Sequence, residues 1–290
     1  MISASLIKEL REKTGAGMLD CKKALEETNG DISAASDWLR EKGISASAKK
    51  ADRIAAEGIA EVKVDGNKAV IVEVNSETDF VAKNEEFISM VEEIMNAILS
   101  ADVSTIEEAM TLSSTEGTIE DLFINRTSKI GEKLSFRRFE VINKKDNESF
   151  GEYIHMGGKI AVLTLLEGPV EVAKDVAMHA AAMRPLYVRS DDVPADELEK
   201  EKNIMREQLI NEGKPADKLD NIMVGKVKKY YEDVCLEEQI FVKAENKETV
   251  GKYVSDNNAS IVTMIRYEVG EGMEKREDNF AEEVAEYLKA

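Results

Sequence analysis

Two stretches of the chain share one layout, and that repeat constrains the fold more than any other feature. GIAEVKVDGNKAVIVEV (58–74) and GEYIHMGGKIAVLTLLE (151–167) each run as glycine, a strand, a tight glycine turn, lysine, then an apolar strand. Gly58 and Gly151 lie 93 positions apart and Lys68 and Lys159 lie 91 apart, so the copies differ by two residues. Residues of helical period follow each copy, FISMVEEIMNAIL after the first and VAKDVAMHAAAM after the second. The pattern predicts an α+β chain with a duplicated antiparallel sheet-plus-helix core. A further strand pair, QIFVKA and SIVTMIRYEV, is expected to complete the second copy.

The remaining segments are helical. Residues 1–43 read as a three-helix module with stripes at Leu6, Ile7 and Leu10, then Met18, Leu19, Cys21, Ala24 and Leu25, then Ile32, Ala35, Trp38 and Leu39. Asn29-Gly30 stops the second helix and Asp31 is placed to cap the third. Residues 44–57 form a linker. The first core subdomain is expected over 58–148, and the second over 149–187 and 238–272. Between those last two pieces, 188–237 reads as an inserted antiparallel helical hairpin of coiled-coil type. Leu198, Met205 and Leu209 stripe one arm, and Leu219, Ile222, Met223, Val227, Tyr230 and Val234 the other, around EGKP (212–215). Two helices alone leave apolar surface over, which points to a partner surface. Residues 273–290 form a last helical module, striped by Phe280, Val284, Tyr287 and Leu288.

Charge separates the first module from the rest. Residues 1–57 carry ten basic and ten acidic side chains, so the whole net charge of −19 falls on the remainder. Such an acidic chain is a poor nucleic-acid binder, because phosphate binding rests on clustered Lys and Arg. No apolar run reaches the length of about 20 residues that a membrane span needs, and the N-terminus has no secretory pattern. A cytoplasmic protein with no membrane partner is expected. Catalytic equipment is sparse. His155 and His179 are the only histidines, and Cys21 and Cys235 fit no metal or redox spacing. GAGMLD (15–20) follows a helix rather than a strand, which removes its meaning as a dinucleotide loop. With 58 acidic residues, a solvated surface accounts for the carboxylates better than an acid/base pair. The residues point to binding rather than catalysis, with no cofactor or metal.

Phe80, within EVNSETDFVAKNEEF (73–87), is the sharpest candidate. Phe80, Phe87 and Val91 share a helical face, so Phe80 can start a core stripe. Alternatively, Asn75, Ser76, Thr78 and Asp79 are all N-cap types. If the helix starts later, at Asn84, Phe80 sits in a turn and projects. Met18 and Leu19, at a helix start, read either as core or as an exposed contact. Lys22 reads as solvated, and His155 as a surface or cross-strand residue before the MGG turn.

EVNSETDFVAKN resembles the signature of the bacterial elongation factor Ts family, guanine-nucleotide exchange factors of elongation factor Tu. LREKTGAGMLDCKKAL (10–25) is similar to that family's N-terminal signature, and KIGEKLSFRR (129–138), the repeat with His155, and RYEVGEG (266–272) follow in its order. Residues 100–128 are irregular and unmatched, and Met156-Gly157-Gly158 makes a longer turn after His155. The resemblance implies a non-enzymatic translation factor whose partner is elongation factor Tu, GDP-bound and nucleotide-free. It implies that Thr78, Asp79, Phe80 and Val81 enter near the partner's Mg²⁺ site and dislodge it. It also implies partner contacts at Arg11, Met18, Leu19, Lys22 and His155, with homodimerisation through the hairpin an open question. Two rival readings remain. One is an adaptor, since the first module is similar to ubiquitin-associated domains. The other is a hydrolase using scattered carboxylates.

Overall fold

The computed structural model describes residues 2–14, 16, 18–42, 50 and 53–274. Helices α1 (Ala4–Thr14), α2 (Met18–Glu27) and α3 (Ile32–Glu41) form the expected module around Leu10, Cys21, Ala24, Leu25, Ala35 and Leu39. Asp31 caps α3 by accepting the Ala34 N–H at 2.9 Å. Met18 and Leu19 depart from the predicted stripe. They are 62% and 83% exposed: Leu19 lies across α2 from the inward-facing Cys21, Ala24 and Leu25, while Met18, on their side of the helix, is its first residue and stands at the end of the stripe. Most of the linker and nearly all of the last helical module lie outside the described residues.

The chain divides into two compact units, one drawn from residues before 62, from 72–141 and from 268 onward, the other from 62–71 and 142–267. The first repeat folds into β1 (Glu57–Asp65) and β2 (Lys68–Ser76), joined through Gly66 in the left-handed region at φ +57°. Gly58 is required at the open end of the hairpin, since a Cβ there would lie 2.2 Å from the Val74 carbonyl oxygen. A one-turn helix α4 (Asp79–Ala82) follows, and α5 (Glu85–Leu99) starts from Asn84, whose Oδ1 accepts the Glu86 N–H at 2.8 Å. Phe87, Met90, Val91, Ile94, Met95 and Ile98 carry its buried stripe.

Residues 100–128 are not irregular. They form α6 (Ile106–Met110), the short pair β3 (Ser113–Ser114) and β4 (Gly117–Thr118), and the start of α7 (Ile119–Ile130). A capping box between Thr118 and Asp121 starts α7, and Gly131, at φ +87°, ends it. The strand β5 (Ser135–Asn143), absent from the sequence reading, then joins the first sheet in the order β1-β2-β5. Phe123 of α7 stacks on Phe136, and Phe136 on Phe139, with centroids 6.3 and 5.4 Å apart.

In the second repeat β6 (Glu148–His155) pairs antiparallel with β7 (Ile160–Glu167), and α8 (Val170–Met183) covers them. Val162 and Leu166 meet Val172, Ala173, Val176, Ala177 and Ala180 in its core. Gly151 lets helix and strand touch, since a Cβ there would lie 2.1 Å from the Ala173 carbonyl oxygen. The third strand of this sheet is β8 (Ser260–Glu268), in the order β6-β7-β8. QIFVKA is not its partner. Its Phe241 N–H bonds the Glu248 carbonyl and its Val242 N–H bonds His179 Nδ1, leaving one isolated bridge, Ile240 to Thr249.

The insertion forms the predicted hairpin, α9 (Ala195–Asn211) and α10 (Leu219–Val234). Leu209, Leu219 and Met223 are buried between its helices, with Met205, Ile222 and Val227 packed against them. At its root Leu186 N–H bonds the Val234 carbonyl at 2.8 Å, and Leu236 N–H bonds the Tyr187 carbonyl at 2.9 Å. Glu197 ties the helices to that root, accepting the hydroxyls of Tyr187 at 2.6 Å and Tyr230 at 3.0 Å. A short helix α11 (Val250–Asp256) leads into β8.

Candidate functional site

Phe80 is 79% exposed. Its neighbours Val81 and Ala82 point the other way and are buried, so the turn stands on the core with its largest apolar group outward. Val81 therefore anchors the turn from inside and offers no surface of its own. Burying a phenylalanine is worth roughly 1.5–3 kcal/mol, and this position forgoes it. The late helix start at Asn84 is what releases Phe80 from the core stripe.

The backbone around Phe80 is held on both sides. The Thr78 N–H and hydroxyl donate to the two oxygens of Glu132 at 3.0 and 2.7 Å. Glu77 in return accepts the Lys133 N–H at 2.6 Å and pairs with Arg53 at 3.2 Å. Ser76 Oγ donates to the Thr78 carbonyl at 2.9 Å. Asp79, at the start of α4, forms an exposed pair with Lys83 at 2.7 Å. On the far side the Asn84 N–H bonds the Val81 carbonyl at 2.9 Å.

Deeper in β2, Glu73 is fully buried. Its carboxylate accepts from Arg137 at 2.8 Å, Arg138 at 2.6 Å, the Gly270 N–H at 2.9 Å and Asn75 at 3.1 Å. Burial works against the charge, but the Gly270 N–H and the two guanidiniums outweigh it and hold the carboxyl below its ordinary range.

The other expected contact residues fall in three places. Met18 and Leu19 give the first module an exposed apolar pair, and Lys22 stands exposed beside them, 3.8 Å from Glu26. Arg11 instead lines a recess with Lys8, Lys13, Arg126 and Lys129. His155 ends β6 in the other unit, exposed, its ring stacked on Tyr153 at 6.0 Å between centroids.

Neither cysteine is primed as a nucleophile. Burial raises the Cys21 thiol and pushes Cys235 up to about 11. His179 is buried, and its pKa is lowered by burial. Its Nδ1 accepts the Val242 N–H at 3.2 Å, so its other nitrogen donates to Gln239 Oε1 at 3.0 Å. That is a neutral structural histidine. Among the described residues no group of three or more His, Cys, Asp or Glu is placed to hold a metal, and no helix is long and apolar enough to cross a membrane.

The sequence exposed the turn but not its supports. Glu77, Glu132 and Glu73 are three carboxylates among 58, with nothing in their spacing to mark them. Compared with known families, residues 77–271 match the family model described as Elongation factor TS, which is more than half of the chain. The chain belongs to that family, one of nucleotide exchange factors for elongation factor Tu.

Proposed function

We propose, on the premise of that membership, that this chain releases GDP from elongation factor Tu by inserting Phe80 beside the partner's Mg²⁺ site. The observation that carries the reading is the 79% exposure of Phe80 on a turn bonded at both ends. Mg²⁺ demands near-ideal octahedral oxygen geometry, so a small displacement of the elements around it weakens its hold on the nucleotide. The factor binds the nucleotide-free partner more tightly than the GDP form, and by linkage it weakens GDP by the same factor. Neither step makes or breaks a covalent bond, so two histidines and two unreactive thiols suffice.

Thr78 and Asp79 shape the turn, and Val81 seats it. Met18, Leu19 and Lys22 supply a separate contact patch on the first module, Arg11 a charge at its edge, and His155 a contact from the second repeat. The hairpin, with Ile204, Ile210 and Val224 exposed, offers a face to the partner or to a second copy of the chain. Sedimentation of the free factor separates those two occupants.

Stopped-flow release of a fluorescent GDP tests the reading. Phe80→Ala should slow release about thirtyfold, from roughly 2 kcal/mol for an aromatic hot spot expressed in the transition state. Melting of the free factor should barely change. A large melting shift with normal release would return Phe80 to its own core and end the proposal.

A further inference from the structure

We propose that Glu132 is a positioning residue for nucleotide exchange: with Glu77 it forms a reciprocal clamp that fixes the direction in which Phe80 projects. The inference rests on the reading of Phe80 above and deepens it. An exposed aromatic has no packing of its own to set its direction, so its aim must come from the backbone beneath it. That backbone is a helix of four residues, too short to persist alone. Its N-cap, Thr78, is extended (φ −129°, ψ 156°) and makes no cap bond to α4. The Thr78 hydroxyl is spent on Glu132 instead, as is its N–H.

The two segments hold each other by exchanged carboxylates. Glu132, from the loop after α7, takes both donors of Thr78, while Glu77, from the turn, takes the Lys133 N–H. Glu77 is only 12% exposed and is braced by Arg53, whose carbonyl accepts from Lys133 Nζ at 2.9 Å. Bonds to an ionised carboxylate are stronger than neutral ones, and paired bonds fix orientation as well as distance. The clamp thus sets the entry to the turn, Val81 and Ala82 its floor, and Asn84 its exit.

Glu132→Ala should lower the maximal rate of GDP release about tenfold, the low end for losing charge-assisted hydrogen bonds. The concentration of factor giving half that rate should change little, because the contact surfaces persist. Thr78→Val should act in the same direction. Glu132→Gln, which keeps one acceptor at the same reach, should recover part of the loss. In the Phe80→Ala background Glu132→Ala should add nothing. An equal further loss there would show that Glu132 acts elsewhere and overturn the proposal.

A second readout needs no partner. Amide hydrogen exchange in the free Glu132→Ala factor should quicken over 78–83 and stay unchanged within α5. Unchanged amides over 78–83 would refute the clamp even if release slowed. Quickened amides with slowed release support it. Normal release from Phe80→Ala would remove the function assigned to Phe80, and the positioning role with it.

Discussion

Replacing Glu73 by glutamine removes one charge from the middle of β2 and should cost about 3 kcal/mol of stability at neutral pH. The size follows from what the carboxylate holds. It has no exposed surface, and it takes four donors at 2.6–3.1 Å, two of them guanidinium groups. Breaking a buried pair by removing one partner costs about 3–5 kcal/mol. Arg137 and Arg138 keep 23% and 31% of their side chains exposed, and Arg138 also reaches Glu271 at 3.6 Å. Water and Glu271 therefore absorb part of the released charge, which selects the lower end. The amide of glutamine also turns an N–H₂ toward groups that can only donate.

The pH dependence has a definite sign. A carboxyl held below its ordinary value stabilises the fold fully above that value and loses the contribution as pH falls through its folded-state pKa. The gap between the native chain and Glu73→Gln should be flat near neutrality and narrow below the ordinary value of 4.5. Urea unfolding followed by circular dichroism at several pH values measures it. A variant as stable as the native chain at pH 7, or a gap that widens on acidification, would refute the account of Glu73.

Three further outcomes are expected. Replacing 195–232 by a flexible Gly-Ser loop should leave the rest folded, because the root bonds of the hairpin lie outside the exchanged segment; loss of the sheet signal in circular dichroism would contradict this. Gly151→Ala should destabilise the second repeat by about 3 kcal/mol, the upper range for overpacking, since the obstruction is the backbone of α8; an unchanged denaturation midpoint would count against that close approach. Lys22→Glu should slow association with elongation factor Tu at low salt and less at high salt, as a rim charge does; a salt-independent rate would remove Lys22 from the contact.

The repeat was readable because its turn glycines and alternating strands obey rules local to a few residues. The same locality explains the misses. In β5, Arg137 and Arg138 sit between the buried Phe136 and Phe139, and two adjacent charges hide the strand. Their partner, Glu73, lies 64 and 65 positions away, beyond any local pattern. Helix α7 did carry a signal, Thr118-x-x-Asp121 before an apolar pair and Gly131 after it, but in a stretch polar enough to pass for a loop. QIFVKA erred the other way. Gln239 and Phe241 alternate with exposed neighbours as a strand would, yet the buried His179 takes one of its backbone bonds. Phe80 was legible as a choice between two helix starts, and Asn84 decides it. The clamp depends on a fold that brings 77–78 against 132–133, which no spacing along the chain announces.

The root of the helical arm has a consequence for its reach. Chain enters and leaves through neighbouring backbone bonds at Leu186, Tyr187, Val234 and Leu236, so the arm's attachment is independent of its length. Seven residues added to each of α9 and α10 would move the tip outward by about 10 Å at 1.5 Å per residue, while keeping the same faces together. Matched removals would draw it in by the same step. The arm is in this sense a gauge: the body sets where it starts, and paired helical turns alone set how far away a surface can be and still be touched.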